Sequence, residues 1–153
     1  MISYSKRKVF SDRELDLWRR ARVLVSAVDL GLPELEGKEL RCHELARVVG
    51  RILDLAVIDG HYGCIEHSWL VIEPAQLGVL PFVLDVYAPG QAPQVQLLDM
   101  NIVLGHRDLY RPGDRRTDIL WDVVDALERD LRRRVVRIAV LEADLYDEPQ
   151  QKP

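Results

Sequence analysis

Cys42-His43-Glu44-Leu45-Ala46-Arg47-Val48-Val49-Gly50-Arg51-Ile52-Leu53 sets its apolar residues at positions 45, 48, 49 and 52, three and four apart. That spacing predicts a helix with one apolar face. Gly50 weakens such a helix by about 1 kcal/mol relative to alanine, or lets a neighbouring segment pack closely. The period then changes. Leu55-Ala56-Val57-Ile58 is a short continuous apolar run that reads as a strand, closed by a turn at Asp59-Gly60. Ile65, His67, Trp69 and Val71 alternate with Glu66, Ser68 and Leu70, as in a strand. A connector with Pro74, Gly78 and Pro81 leads to Phe82-Val83-Leu84-Asp85-Val86-Tyr87, the next strand. A short connection between the two suggests an antiparallel pair.

Working outward, Ser11-Asp12-Arg13-Glu14 reads as a capping box. Leu17, Trp18, Ala21, Val25 and Val28 follow at helical spacing, and the helix is expected to stop near Gly31, with Pro33 beyond it. On the other side, Pro89-Gly90 ends the Asp85 strand and Val95-Gln96-Leu97-Leu98 is a further strand candidate. Residues 105–113, with His106, read as an irregular loop. Thr117 or Asp118 is the expected cap of a last helix that buries Ile119, Val123, Val124, Leu127 and Leu131. Arg132, Arg133 and Arg134 would complement a helix end there. Residues 135–145 carry both helical spacing and β-branched residues, and helix is the preferred reading. The expectation is an α+β fold, helices packed on a single antiparallel sheet, as one domain over residues 1–146 with a flexible polar tail at 147–153.

Composition narrows the function. The chain has 153 residues, 48% apolar and 30% charged, with a formal net charge of −4. That is ordinary for a globular domain and is not the basic balance of a nucleic-acid binder. No apolar run approaches the ~18 residues of a membrane span. Residues 1–8 lack the apolar core of a secretory leader. A cytoplasmic protein is expected. In that setting a lone thiol is catalytic, metal-binding or buried, so the two cysteines, Cys42 and Cys64, carry weight.

Cys42 opens the first-quoted helix. A helix N-terminus favours anions, lowers a thiol's pKa and offers free N–H groups as an oxyanion hole. His67 and Asp85 each sit mid-strand. If these strands pair, the two become neighbours on one sheet face, and the helix brings Cys42 against His67. The order is nucleophile, base, orienting group. Asp85 also interrupts an apolar strand, and a buried carboxylate needs a partner. His67 is the natural one. The plainer readings are a structural thiol at Cys42 and a satisfied strand histidine at His67. Trp69 reads as core packing. His61, Cys64 and His67, joined by Cys42 or His43, are an alternative zinc set, and Cys64 is the rival nucleophile.

These residues resemble the bacterial transglutaminase-like superfamily, of papain-like cysteine protease fold. Cys42-His43-Glu44-Leu45-Ala46 is similar to its nucleophile helix, with alanine four residues on, His67-Ser68-Trp69 to its His-small-Trp strand and Leu84-Asp85-Val86 to its aspartate strand. The likeness covers residues 37–90. The chain departs from the family in Val86-Tyr87 after Asp85, in Arg41 before Cys42 and in a shorter Cys42-to-His67 interval. The resemblance implies acyl transfer on a peptide, protein or small amide by a Cys42–His67–Asp85 triad, either hydrolase or acyltransferase, with no metal or organic cofactor and with Trp69 walling the site. An inactive binding module on the same fold is the alternative.

Overall fold

The computed structural model describes residues 10–74, 78–89, 92–100 and 109–143. Within them the chain is α+β, with three α-helices and one five-stranded antiparallel sheet. Helix α1 spans Asp12–Ser26, α2 Cys42–Leu53 and α3 Trp121–Ala143. The strands are β1 Ala56–Tyr62, β2 Ile65–Ile72, β3 Phe82–Tyr87, β4 Pro93–Asp99 and β5 Tyr110–Pro112, in the order β4-β3-β2-β1-β5. No described helix is long and apolar enough to cross a membrane. The tail at 147–153 and residues 105–108, with His106, lie outside the described residues.

Strand alternation divides the apolar residues between two layers. Leu70, Ile72, Leu84 and Val86 face the helices, where they join Leu45, Val48 and Val49 of α2, Leu24 of α1 and Val124, Leu127 and Leu131 of α3. Trp69, Val71 and Val83 face the other way and join Met100 and Tyr110. The five positions from Ile119 to Leu131 expected to be buried are buried.

Two local expectations in the sheet fail, each for a physical reason. Asp59-Gly60 is not a turn: β1 runs through it to Tyr62, and the turn glycine is Gly63, at φ 60°. Gly60 is needed for close approach instead. A Cβ there would run into the Arg111 carbonyl oxygen, because β5 pairs closely with β1 at that point. The stretch read as a loop up to Gly113 thus contains a strand, with Tyr62 opposite Tyr110 and Gly60 opposite Pro112. Three residues are too few to show a period.

The helix ends also differ from expectation. Ser11 does cap α1, accepting from the Glu14 N–H at 3.5 Å, but α1 ends at Ser26, short of Gly31. Neither Thr117 nor Asp118 caps α3, whose first full-turn bond runs from Val124 N–H to the Leu120 carbonyl. Asp118 is held instead by Arg116 and Arg41. The arginine cluster lies inside α3, which continues to Ala143 as a helix. It closes the ends of the other two helices: Arg134 donates to Ala27 O at 2.6 Å and Arg132 to Arg51 O at 3.3 Å. Cationic donors favour helix C-termini.

Gly60→Ala tests the β1–β5 pairing. Backbone meets backbone there, so no side chain can give way. The substitution should destabilise the fold by about 3 kcal/mol, the upper range of overpacking, in chemical denaturation. A change within experimental error would mean that β5 does not pack on β1 as described.

Candidate active site

Cys42 is the first residue of α2. Arg41 precedes it in an extended conformation and its side chain does not cap the helix. The guanidinium instead grips Glu44 through two bonds of 2.6 and 2.7 Å, and Glu44 is buried. Among the described residues no side chain occupies the N–H groups of the first turn, which stay available for a developing negative charge.

The sheet makes room for the thiol. Pairing between β2 and β3 covers Leu70↔Leu84, Val71↔Val83 and Ile72↔Phe82 and stops there. Past Leu70, β2 continues against β1 alone, while β3 continues against β4. The backbone groups lining this parting have no strand partner across it. The Ser68 N–H is one of them, and it donates to Cys42.

The same parting holds His67 and Asp85. The His67 Nε2 donates to Asp85 Oδ2 at 2.7 Å, and both groups are buried. A register shift in the β3–β4 ladder lies between Asp85 and Tyr87. The extra residue is on β4, where Gln94 and Val95 face Val86, and on β3 the Tyr87 N–H donates to Asp85 Oδ1 at 3.1 Å. Trp69 stacks beside His67, ring centroids 6.1 Å apart, and is itself buried.

The ionisation of the pair follows from these contacts. Burial pushes the Cys42 thiol up, but hydrogen bonds from His43 and His67, the His43 charge and the Ser68 N–H outweigh it and hold the thiol at about 6. Burial pushes His67 down, but its bonds to Asp85 and Cys42, and their charges, outweigh that and raise it to about 9. Since Nε2 is engaged by Asp85, Nδ1 is the nitrogen left for the thiol. Thiolate and imidazolium coexist between those two values, across neutral pH.

Four further groups belong to this cluster that the sequence reading did not assign to it. Tyr110 donates its hydroxyl to Asp85 Oδ2 at 2.6 Å, sharing that oxygen with His67. Burial, then the charge of Asp85, pushes the Tyr110 phenol far up. No period marks β5, so its sequence carries no signal for this contact. His43 lies against the thiol, with Nδ1 3.6 Å from Sγ, and Ser68 and Asp59 extend from it as a buried chain. The adjacency of His43 to Cys42 and of Ser68 to His67 in sequence is the signal that would have pointed to those two.

The alternative zinc set is not assembled. His61 and Cys64 are exposed at the β1–β2 hairpin, while His67 is buried. Among the described residues no group of three or more His, Cys, Asp or Glu side chains is placed to hold a metal ion. Cys64 is exposed, and Cys42 is the buried thiol, with His43 and His67 acting on it. No protein-family model, curated protein or solved structure matches the chain.

In Cys64→Ser protein, the rate of Cys42 alkylation by iodoacetamide should follow the thiolate, with a midpoint near pH 6. His67→Ala should move that midpoint upward, toward the ~8.5 of a free thiol. A midpoint already near ~8.5 in folded native protein would contradict the ion pair.

Proposed function

We propose that this protein is a cysteine-dependent acyl-transfer enzyme of the transglutaminase-like kind, acting on a peptide, protein or small amide. The observation that carries the reading is the buried His67–Asp85 pair together with Cys42 at the start of α2, the thiol held at about 6 and the imidazole at about 9. The order of the three residues along the sequence supports it, as does the likeness of Cys42-His43-Glu44-Leu45-Ala46 and His67-Ser68-Trp69 to that superfamily.

The chemistry runs in two halves. The Cys42 thiolate attacks the carbonyl carbon of an amide or thioester, and the carbonyl π electrons move to oxygen. The uncapped N–H groups at the start of α2 stabilise that oxyanion. His67 gives its Nδ1 proton to the leaving amine or thiol as the bond to carbon breaks, which leaves a thioester on Cys42. Water or an amine then attacks the thioester carbonyl while neutral His67 takes its proton. Collapse of this second intermediate releases the product and restores thiolate and imidazolium. Asp85 holds Nε2–H throughout and stabilises the charged ring.

A binding module on the same scaffold is the second reading. It is favoured by a cavity of about 580 Å³ beside α2, lined by Arg47, Arg51, Asp59, Arg115 and Trp121 among others, which includes neither Cys42 nor His67.

Incubation with a small activated thioester separates the two. The enzyme reading expects an acyl adduct on Cys42 by intact-protein mass spectrometry, followed by turnover. Cys42→Ala should abolish the adduct. His67→Ala should slow acylation by roughly 10²–10⁴, the usual share of a general acid or base. Turnover that survives Cys42→Ala would refute the assignment. A fast-alkylating Cys42 that accepts no acyl donor would favour the binding module.

A further inference from the structure

Cys42 has a second imidazole against it, with its own line of support. His43 places Nδ1 3.6 Å and Nε2 3.9 Å from the sulfur. The same Nδ1 lies 2.7 Å from Ser68 Oγ. Ser68 in turn donates its hydroxyl to Asp59 Oδ1 at 2.5 Å. His43, Ser68 and Asp59 are all buried.

The tautomer of His43 follows from counting donors. Asp59 accepts from both ends of the Arg47 guanidinium, at 3.1 and 2.6 Å, from the Arg116 N–H at 3.0 Å and from Ser68. A carboxylate offers about four lone-pair sites, so Asp59 is filled as an anion. Burial pushes its carboxyl up, but Arg47 and Ser68 outweigh that and hold it at about 2. The single hydroxyl proton of Ser68 is thus committed to Asp59. Toward His43 the Ser68 oxygen can only accept, which fixes a proton on Nδ1. Nε2 is then the nitrogen of His43 that Ser68 does not engage, 3.9 Å from the sulfur.

None of these bonds passes through the His67–Asp85 arm. That arm comes from β2 and β3, with Tyr110 behind it on β5. The His43 arm comes from α2, with Ser68 on β2 and Asp59 on β1 opposite it in the ladder. The other charged and titratable groups in reach are Glu66 on β2, which feels His43, and Tyr87 on β3, which feels Cys42. Glu44 on α2 is taken up by Arg41.

We infer that the His43–Ser68–Asp59 relay is a second positioning arm on Cys42, holding the sulfur's ionised form independently of His67. The inference rests on the acyl-transfer reading and deepens it. In that reaction His67 must part with its proton, so a thiolate held by His67 alone would depend on the same proton that the leaving group needs. A second, separately anchored imidazole divides the two duties.

Alkylation profiles of Cys42 in a Cys64→Ser background test this. His43→Asn and Ser68→Ala should each raise the midpoint by about one pH unit, close to a tenfold lower thiolate fraction below it. Ser68→Ala keeps the backbone N–H that touches Cys42 and leaves Asp59 paired with Arg47. Added to His43→Asn it should therefore cause no further shift, because Ser68 reaches the sulfur through His43. His67→Ala added to His43→Asn should exceed either alone. Melting curves establish that each variant is folded, and if His43→Asn is not, Ser68→Ala decides by itself. A Ser68→Ala profile that overlays the parent, or that adds fully to His43→Asn, overturns the second arm. If in the same set His67→Ala shifts the midpoint, the acyl-transfer reading stands without it. If His67→Ala leaves the midpoint in place, it is that reading which fails.

Discussion

A carboxylate in the middle of an apolar strand is the constraint to which the rest of the site is fitted. Asp85 is fully buried in β3. Burial of a charge is tolerable only with partners, and three donors reach it: His67 Nε2, the Tyr110 hydroxyl and the Tyr87 N–H. Each donor shapes the fold. The Tyr87 N–H lies where β4 bulges against β3. Tyr110 requires β5 to come in beside β1, which in turn requires glycine at position 60. His67 lies beyond the point where β2 and β3 cease to pair. Removing one partner of a buried pair costs about 3–5 kcal/mol, so the arrangement that positions His67 is bound to the stability of the sheet.

Helix α2 fits into this frame because one stretch of sequence serves two purposes. Leu45, Val48 and Val49 pack on the sheet and hold the helix down. A Cβ at Gly50 would meet the Leu55 carbonyl and the Leu70 side chain, each at 2.9 Å, so glycine lets the far end of the helix lie close on β1 and β2. The near end then reaches the parting between β2 and β3. Cys42 arrives there beside His67, and Arg47, one turn further on, closes on Asp59 at 2.6 Å. The electrostatic outcome follows from placement: a thiol that burial alone would keep protonated is surrounded by N–H donors.

The elements with a strong period were legible in sequence and the contacts between distant segments were not. The bounds of α2 and β3 follow from their own residues, and the need of Asp85 for His67 follows from charge burial. Asp59-Gly60 misled because a turn signal and a closely paired strand both call for glycine, and only β5 distinguishes them. Tyr110 sits in a three-residue strand, too short to alternate. Asp118 has the chemistry of a helix cap, but Arg41 and Arg116 compete for it. His43 and Ser68 stand next to Cys42 and His67 in sequence, but their roles depend on Asp59 facing Ser68 across β1 and β2, which no local spacing shows.

The claim at the centre of this account is that the resting site holds a charged imidazole against a charged sulfur. The nitrogen-15 spectrum of the His67 ring at pH 7.5 reports it directly. In native protein both ring nitrogens should carry protons, as an imidazolium whose Nε2–H faces Asp85 and whose Nδ1–H faces the thiolate. Cys42→Ser removes the anion and should return the ring toward a neutral form protonated on Nε2 alone. A native His67 with a bare Nδ1 at that pH, unchanged by Cys42→Ser, would contradict the ion pair and with it the assignment of Cys42 as an activated nucleophile.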